Sequence, residues 1–190
     1  HSVGGHQYGD VRIGAFMGKR IVNAIREKSG KAPIEFLTTL TPEEWRSTYR
    51  DLVPEEITGA DFLAAHRTHD DPVTTVQPGA VYRVRGPAEH AVMENDRVLH
   101  FMEALKAAAD GGENRLIAAG ERMYEAHASY RDNCRLSVPE VDFLVETVRN
   151  LGPKAGLYGA KITGGGSGGT VAVFGKLEAL EEHIPLIAKE

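Results

Sequence analysis

The sequence predicts an α+β fold, a small antiparallel sheet with helices packed on one face. Three observations carry that expectation. Apolar residues recur at helical spacing over most of the 190 residues. Strand-like runs are few and short, at 80–85, 157–163 and 170–174. The chain closes as strand, glycine-rich loop, strand and helix. Its length suits one domain and can bury a core without disulfides. No repeat, linker or internal boundary is visible.

His1–Gly9 reads as a short polar loop with Gly4, Gly5 and Gly9. A helix follows, with Val11, Ala15, Gly18, Val22 and Ile25 on one face, and Ser29-Gly30 ends it. Thr41-Pro42-Glu43-Glu44 starts a second, short helix: Thr41 caps, Pro42 takes the first helical position and Glu44 reaches back. Gly59 to Phe62 opens another. His66 to Asp71 is polar and expected to be solvated. Ala80 to Arg85 alternates as a strand, and Gly86-Pro87 turns it into a long helix. Val98, Phe101, Met102, Leu105 and Ala109 form that helix's apolar face, and Asp110-Gly111-Gly112 stops it. The next helix carries Leu116, Gly120, Met123, His127 and Tyr130 as a stripe. Ser137-Val138-Pro139-Glu140 reads as a capping box for a helix through Val141, Leu144, Val145 and Val148. Strands Leu157–Thr163 and Thr170–Phe174 follow, then an amphipathic helix from about Leu177.

Composition narrows the function. The net charge is −5 and no basic stripe is present, which argues against nucleic acid as a partner. No apolar run approaches the ~20 residues of a membrane helix, so no membrane partner is expected. The single Cys134 excludes an internal disulfide and a cysteine-based zinc site, and it fits a reducing, cytoplasmic compartment. The chain begins at His1 and stops at Glu190 within a helical pattern, so it reads as a segment trimmed at both ends.

Glycine is the outlier, at 21 of 190 residues. Five glycines fall in the six positions Gly164-Gly165-Gly166-Ser167-Gly168-Gly169. A hairpin turn needs only about two special residues. Such a run lets backbone approach a ligand closely and lets successive N–H groups cradle an anion. It is neither a Walker loop nor a dinucleotide fingerprint, because no Lys-Ser/Thr pair follows the glycines and the next element is a strand.

Gly159-Ala160-Lys161-Ile162-Thr163 followed by that loop and Thr170 resembles the third conserved motif of the GHMP kinases. His127-Ala128-Ser129-Tyr130-Arg131-Asp132, then Ser137 to Asp142, resembles the galactokinase stretch before that motif. Glu89 to Asn95 with Arg97 resembles the galactokinase helix upstream. His1-Ser2-Val3-Gly4-Gly5 with Tyr8 and Arg12 is most similar to the L-arabinokinase branch. So are Asp71-Pro72-Val73-Thr74 and Glu94 to Val98. These segments cover nearly the whole chain in order.

The resemblance implies a GHMP kinase C-terminal domain over 1–190, with a ferredoxin-like small sheet and helices. It implies ATP-dependent phosphorylation of the anomeric hydroxyl of L-arabinose or D-galactose, with Mg²⁺. Tyr8 falls where galactokinases place a tyrosine against the sugar. Gly164, Gly165, Gly166, Ser167, Gly168 and Gly169 fall beside the nucleotide phosphates. The family's Ser-rich phosphate loop, its sugar-orienting Asp and its final strand find no match in this sequence. The catalytic residues are therefore expected in an N-terminal half, which with sugar and ATP makes up the expected partners. The 190 residues by themselves are expected to be inactive. Two other readings are a galactokinase-like protein that senses sugar and ATP without catalysis, and a kinase of heptose or fucose.

Other candidates receive structural readings. The capping box accounts for Ser137 and Glu140 without a catalytic pair. His127 reads as a satisfied core histidine. His66, His69, Asp70 and Asp71 have metal-like chemistry but no ligand pattern, so no metal is assigned. Arg131 and Arg135 flank Cys134 and favour its thiolate, yet nothing else marks it as a nucleophile. Arg12 reads equally as a surface cation or a substrate-side charge. Arg83, Arg85 and Arg97 read as surface or pairing groups.

Overall fold

The computed structural model describes residues 5–166 and 168–188. The expected motif residues His1 to Gly4, together with Ser167 and Glu190, lie outside them. The chain forms two compact units. One comprises the described part of Gly4–Asp96 with Asp132–Cys134, and the other Arg97–Arg131 with the described part of Arg135–Glu190. The boundary falls inside a helix, so no Gly-, Pro- or Ser-rich linker marks it in the sequence.

In the first unit, helix α1 spans Gly5–Lys28. It starts earlier than expected, so Gly5 to Gly9 is helical rather than loop. Its buried face is Ile13, Met17, Ile21 and Val22, so Val11 and Ala15 are only half-buried. Gly14 and Gly18 belong to that face because the helix lies close against other backbone. A Cβ on Gly14 would sit 2.0 Å from the Arg83 carbonyl oxygen.

Helix α2, Pro42–Glu44, is capped as expected by the Thr41 hydroxyl, which accepts from the Glu44 N–H at 3.1 Å. Glu44 does not complete a capping box. Its carboxylate instead accepts from Arg26 (3.1 Å) and from the Tyr49 hydroxyl (3.2 Å). The helix continues as a π turn through Tyr49 and a 3-10 turn through Leu52.

Strands β1, Glu56–Thr58, and β2, Val81–Arg83, pair antiparallel with Ile57 opposite Tyr82. Between them runs helix α3, Gly59–His66, capped by Thr58. The core joins Met17, Val22, Trp45, Phe62, Val84 and Val92, all fully buried. Burying side chains of this size contributes roughly 1.5–3 kcal/mol each.

Helix α4, Arg85–Gly111, crosses the boundary, and helix α5, Glu113–Asp132, follows. On the second half of α4 the expected apolar face is only partly right. Phe101 meets Phe174 with ring centroids 6.0 Å apart, but Val98, Met102 and Ala109 are exposed. Helical spacing marks a stripe that can be covered, not whether an element lies over it.

Helix α6, Pro139–Leu151, buries Val141, Val145 and Val148 as expected and ends at Gly152 with φ +62°. Strands β3, Leu157–Thr163, and β4, Thr170–Gly175, pair antiparallel, and helix α7, Leu177–Ile187, closes the unit. Among the described residues, the single small sheet of the expectation is realised as two two-stranded ladders. Tyr124, Val145, Val148, Leu157, Ala160 and Ala179 form the second core.

Helix α5 approaches β3 unusually closely. A Cβ on Gly120 would lie 1.8 Å from the Tyr158 carbonyl oxygen, and one on Gly159 would lie 2.6 Å from the Gly120 Cα. Both positions exclude every larger residue.

Candidate functional site

The glycine-rich loop joins β3 to β4, and its backbone explains its composition. Gly164, Gly166, Gly168 and Gly169 have φ of +79°, +79°, +91° and +118°. Side-chain-bearing residues reach such values only with strain. The positions then divide. Gly166 is buried, and a Cβ there would meet Leu136 at 2.6 Å and the Tyr130 ring at 2.9 Å. Gly164 and Gly168 face open space within 4 Å of a hypothetical Cβ. One glycine thus seats the loop, and its neighbours present bare backbone.

The seat comes from the end of α5 and the segment after it. The Tyr130 hydroxyl donates to the Gly164 carbonyl at 2.9 Å. The Leu136 N–H donates to the Tyr130 carbonyl at 3.2 Å, which holds Leu136 under Gly166.

Below the loop, His127 is buried on α5. Its Nδ1 accepts from the Ile162 N–H of β3 at 3.3 Å. That leaves the proton on Nε2, which lies 3.0 Å from Asp142 Oδ1, off the line of an aligned hydrogen bond. The Ser137 hydroxyl donates to the same oxygen at 2.5 Å. Burial holds the imidazole below its ordinary value, against the opposing pull of Asp142. The ring is therefore neutral near pH 7, as a core histidine should be. Ser137 is not part of a capping box, because Val138 is the N-cap and makes no side-chain cap bond. Pro139 at the first helical turn shifts the start of α6 by one residue, and Ser137 turns to Asp142 instead. Histidine, aspartate and serine here tie α5, α6 and β3 into one support.

Tyr8 lies in the first turns of α1 and is 45% exposed. Four residues on, Arg12 is committed to a partner. Its Nε and Nη2 donate to the two carboxylate oxygens of Asp71, both at 2.7 Å. The Asp71 side chain is fully buried and also accepts from the Thr74 hydroxyl and the Val73 N–H. Chiefly through Arg12, its carboxyl is held well below the usual carboxylate range. The expectation of a solvated 66–71 stretch is therefore wrong for Asp71 and for the buried His69. Asp71 follows five polar residues, His66 to Asp70, so pattern gave no sign of burial. Its signal is the charge of Arg12, 59 positions away in sequence.

Cys134 also departs from expectation. It is buried, and burial pushes its thiol up to about 12, outweighing the nearby Arg83. The flanking arginines do not make it a thiolate. Arg85 pairs with Glu55 at 3.1 Å and Arg97 lies 3.9 Å from Glu125, as pairing groups should. Among the described residues no group of three or more His, Cys, Asp or Glu is placed to hold a metal ion.

Residues 101–185, which hold β3, the glycine loop and β4, match the family described as GHMP kinases C terminal. Residues 101–185 thus resemble the C-terminal domain of the GHMP kinases. Among curated proteins it is 33% identical to the L-arabinokinase of Arabidopsis thaliana over 93% of this chain and 20% of the relative. It is 36% identical to the galactokinase of Pasteurella multocida strain Pm70 over 66% of this chain and 30% of that protein. The chain therefore spans a third or less of these relatives. A Lactococcus lactis galactokinase solved with galactose shares the fold, with a TM-score of 0.55 over all of this chain and 36% of that one, at 23% identity. No helix among the described residues is long and apolar enough to cross a membrane.

Proposed function

We propose that this chain is the C-terminal part of an ATP-dependent sugar kinase acting on L-arabinose or D-galactose. The observation that carries the reading is the 33% identity to an L-arabinokinase along 93% of the chain. In this reaction the anomeric oxygen forms a bond to the γ-phosphorus. The bond from that phosphorus to the β–γ bridging oxygen breaks, ADP leaves, and the product is a sugar 1-phosphate. The hydroxyl proton passes to a base contributed by the N-terminal half of the longer protein.

The residues described here position rather than react. Phosphoryl transfer depends largely on such positioning and on charge stabilisation. The Tyr8 phenol both donates to and accepts from sugar hydroxyls. Gly164 to Gly169 approach the nucleotide phosphates with backbone, and the open space around Gly164 and Gly168 supports that role. Mg²⁺ neutralises phosphate charge when bound, from ligands outside this chain. The cytoplasm, where ATP and sugars meet, is the corresponding compartment.

The test is a coupled assay of ADP release by the longer natural protein and by residues 1–190. Sugar-dependent ADP release and an anomeric phosphate by phosphorus NMR are expected from the longer protein, and none from the 190 residues. Saturable sugar and ATP binding without turnover would overturn catalysis in favour of a sensing role. Preference for a heptose or fucose would overturn the substrate assignment.

A further inference from the structure

A cavity opens in the unit built around α1. Its volume is about 600 Å³, in the range of small-molecule sites. α1 and the segment after it contribute Arg20, Glu27 and Lys31, and the 66–70 segment closes the other side.

The cavity's charge is unbalanced. Arg20, Lys31 and Arg67 line it and have no ion-pair partner among the described residues. Of the two carboxylates on its wall, Asp70 is taken by Lys19 at 2.5 Å, which leaves Glu27 at the exposed rim. The positive field is felt by His66, whose imidazole is lowered first by burial and then by Arg20 and Lys28.

Two further observations are independent of charge. His69 lines the cavity and is only 5% exposed. Its Nδ1 accepts from the Asp71 N–H at 3.2 Å, so the proton sits on Nε2, which has no partner among the described residues. An unmet buried donor is costly, and native structures rarely keep one without a reason. Arg67 has φ +64° and ψ −48°, and the Thr68 N–H donates across it to the His66 carbonyl at 2.7 Å. This is the strained form of γ-turn, rare outside glycine. Strain of this kind gathers at ligand clamps. Here it is borne by an arginine at the edge of a cationic cavity.

We propose that this cavity binds a small organic anion bearing a phosphate group, clamped by Arg20 and Arg67 with Lys31 at the rim. Two planar forks and an ammonium around one space suit an anion with several acceptor oxygens. The proposal is independent of the kinase reading.

The test follows the His66 imidazole by NMR as inorganic phosphate is added, with citrate as the carboxylate arm. Phosphate is expected to give a saturable upward shift of the His66 titration, because the bound anion offsets the repulsion from Arg20 and Lys28. Arg67→Gly removes a guanidinium and relieves the turn, so its thermal midpoint should hold or rise while phosphate affinity drops at least tenfold. Arg20→Gln should weaken binding similarly. Absence of saturation, a shift unchanged in both variants, or an equal effect of citrate would each overturn the proposal.

Discussion

Arg12 and Asp71 face each other fork to fork, with both N–H to oxygen distances at 2.7 Å and the carboxylate fully buried. The pair ties the segment after α3 to the first half of α1, four residues beyond Tyr8. Asp71→Asn keeps the shape but removes the charge that Arg12 faces. Because Arg12 is about a third exposed, water recovers part of the loss, and about 2 kcal/mol is expected. The pH dependence has a definite sign. The folded carboxyl binds its proton less readily than the unfolded one. Its stabilisation is present above about pH 3.9 and lost as the pH falls through the lower folded value. Urea midpoints at pH 7 and pH 3 should show the variant's deficit shrinking in acid.

The Gly120–Gly159 contact predicts an inverted alanine effect. Alanine at a helix-interior glycine normally stabilises by up to about 1 kcal/mol. Gly9, on α1, has nothing within 4 Å of a Cβ, so Gly9→Ala should raise the thermal midpoint. Gly120→Ala should lower it, at a net cost of about 3 kcal/mol, because α5 must lift off β3. Equal midpoints for the two variants would sink this reading of the packing.

The loop glycines should divide in the same way. Gly166→Ala meets both positive φ and Leu136, whereas Gly168→Ala meets positive φ only. About 1–2 kcal/mol is expected at Gly168 and clearly more at Gly166. In the longer protein Gly166→Ala should also raise the KM for ATP.

His127 predicts a titration of stability. Its folded value is lowered, chiefly by burial. Its contribution is therefore present above about pH 6.5 and lost as the pH falls from there through the lower folded value. His127→Gln should flatten the stability profile between pH 5 and 7, read from urea midpoints. Ser137→Ala should cost about 1 kcal/mol through its lost bond to Asp142 while keeping the slope.

For Tyr8, the sugar contact predicts that Tyr8→Phe in the longer protein lowers kcat/KM for sugar about tenfold, the worth of one hydrogen bond. The KM for ATP should stay constant. An unchanged sugar dependence would remove Tyr8 from the site.

Local features were readable where a residue's role depends on near neighbours. β3 came out at its observed bounds because alternation and flanking glycines are local signals. So did the Thr41 cap. The glycine loop was legible as a place of special backbone from its composition.

What only the tertiary structure decided is which of those features meet. Asp71 looked solvated because its partner lies 59 residues away. Ser137 looked like a cap because the competing acceptor, Asp142, becomes available only once α6 is formed. Val98 and Met102 looked buried because periodicity gives the direction of a face but not the element that covers it. Gly166 and Gly168 are the same residue type in one loop, yet one is a seat and the other is open, since Leu136 lies under only the first. Sequence determined the backbone's local preferences, and long-range packing determined which polar groups lost water and had to find each other.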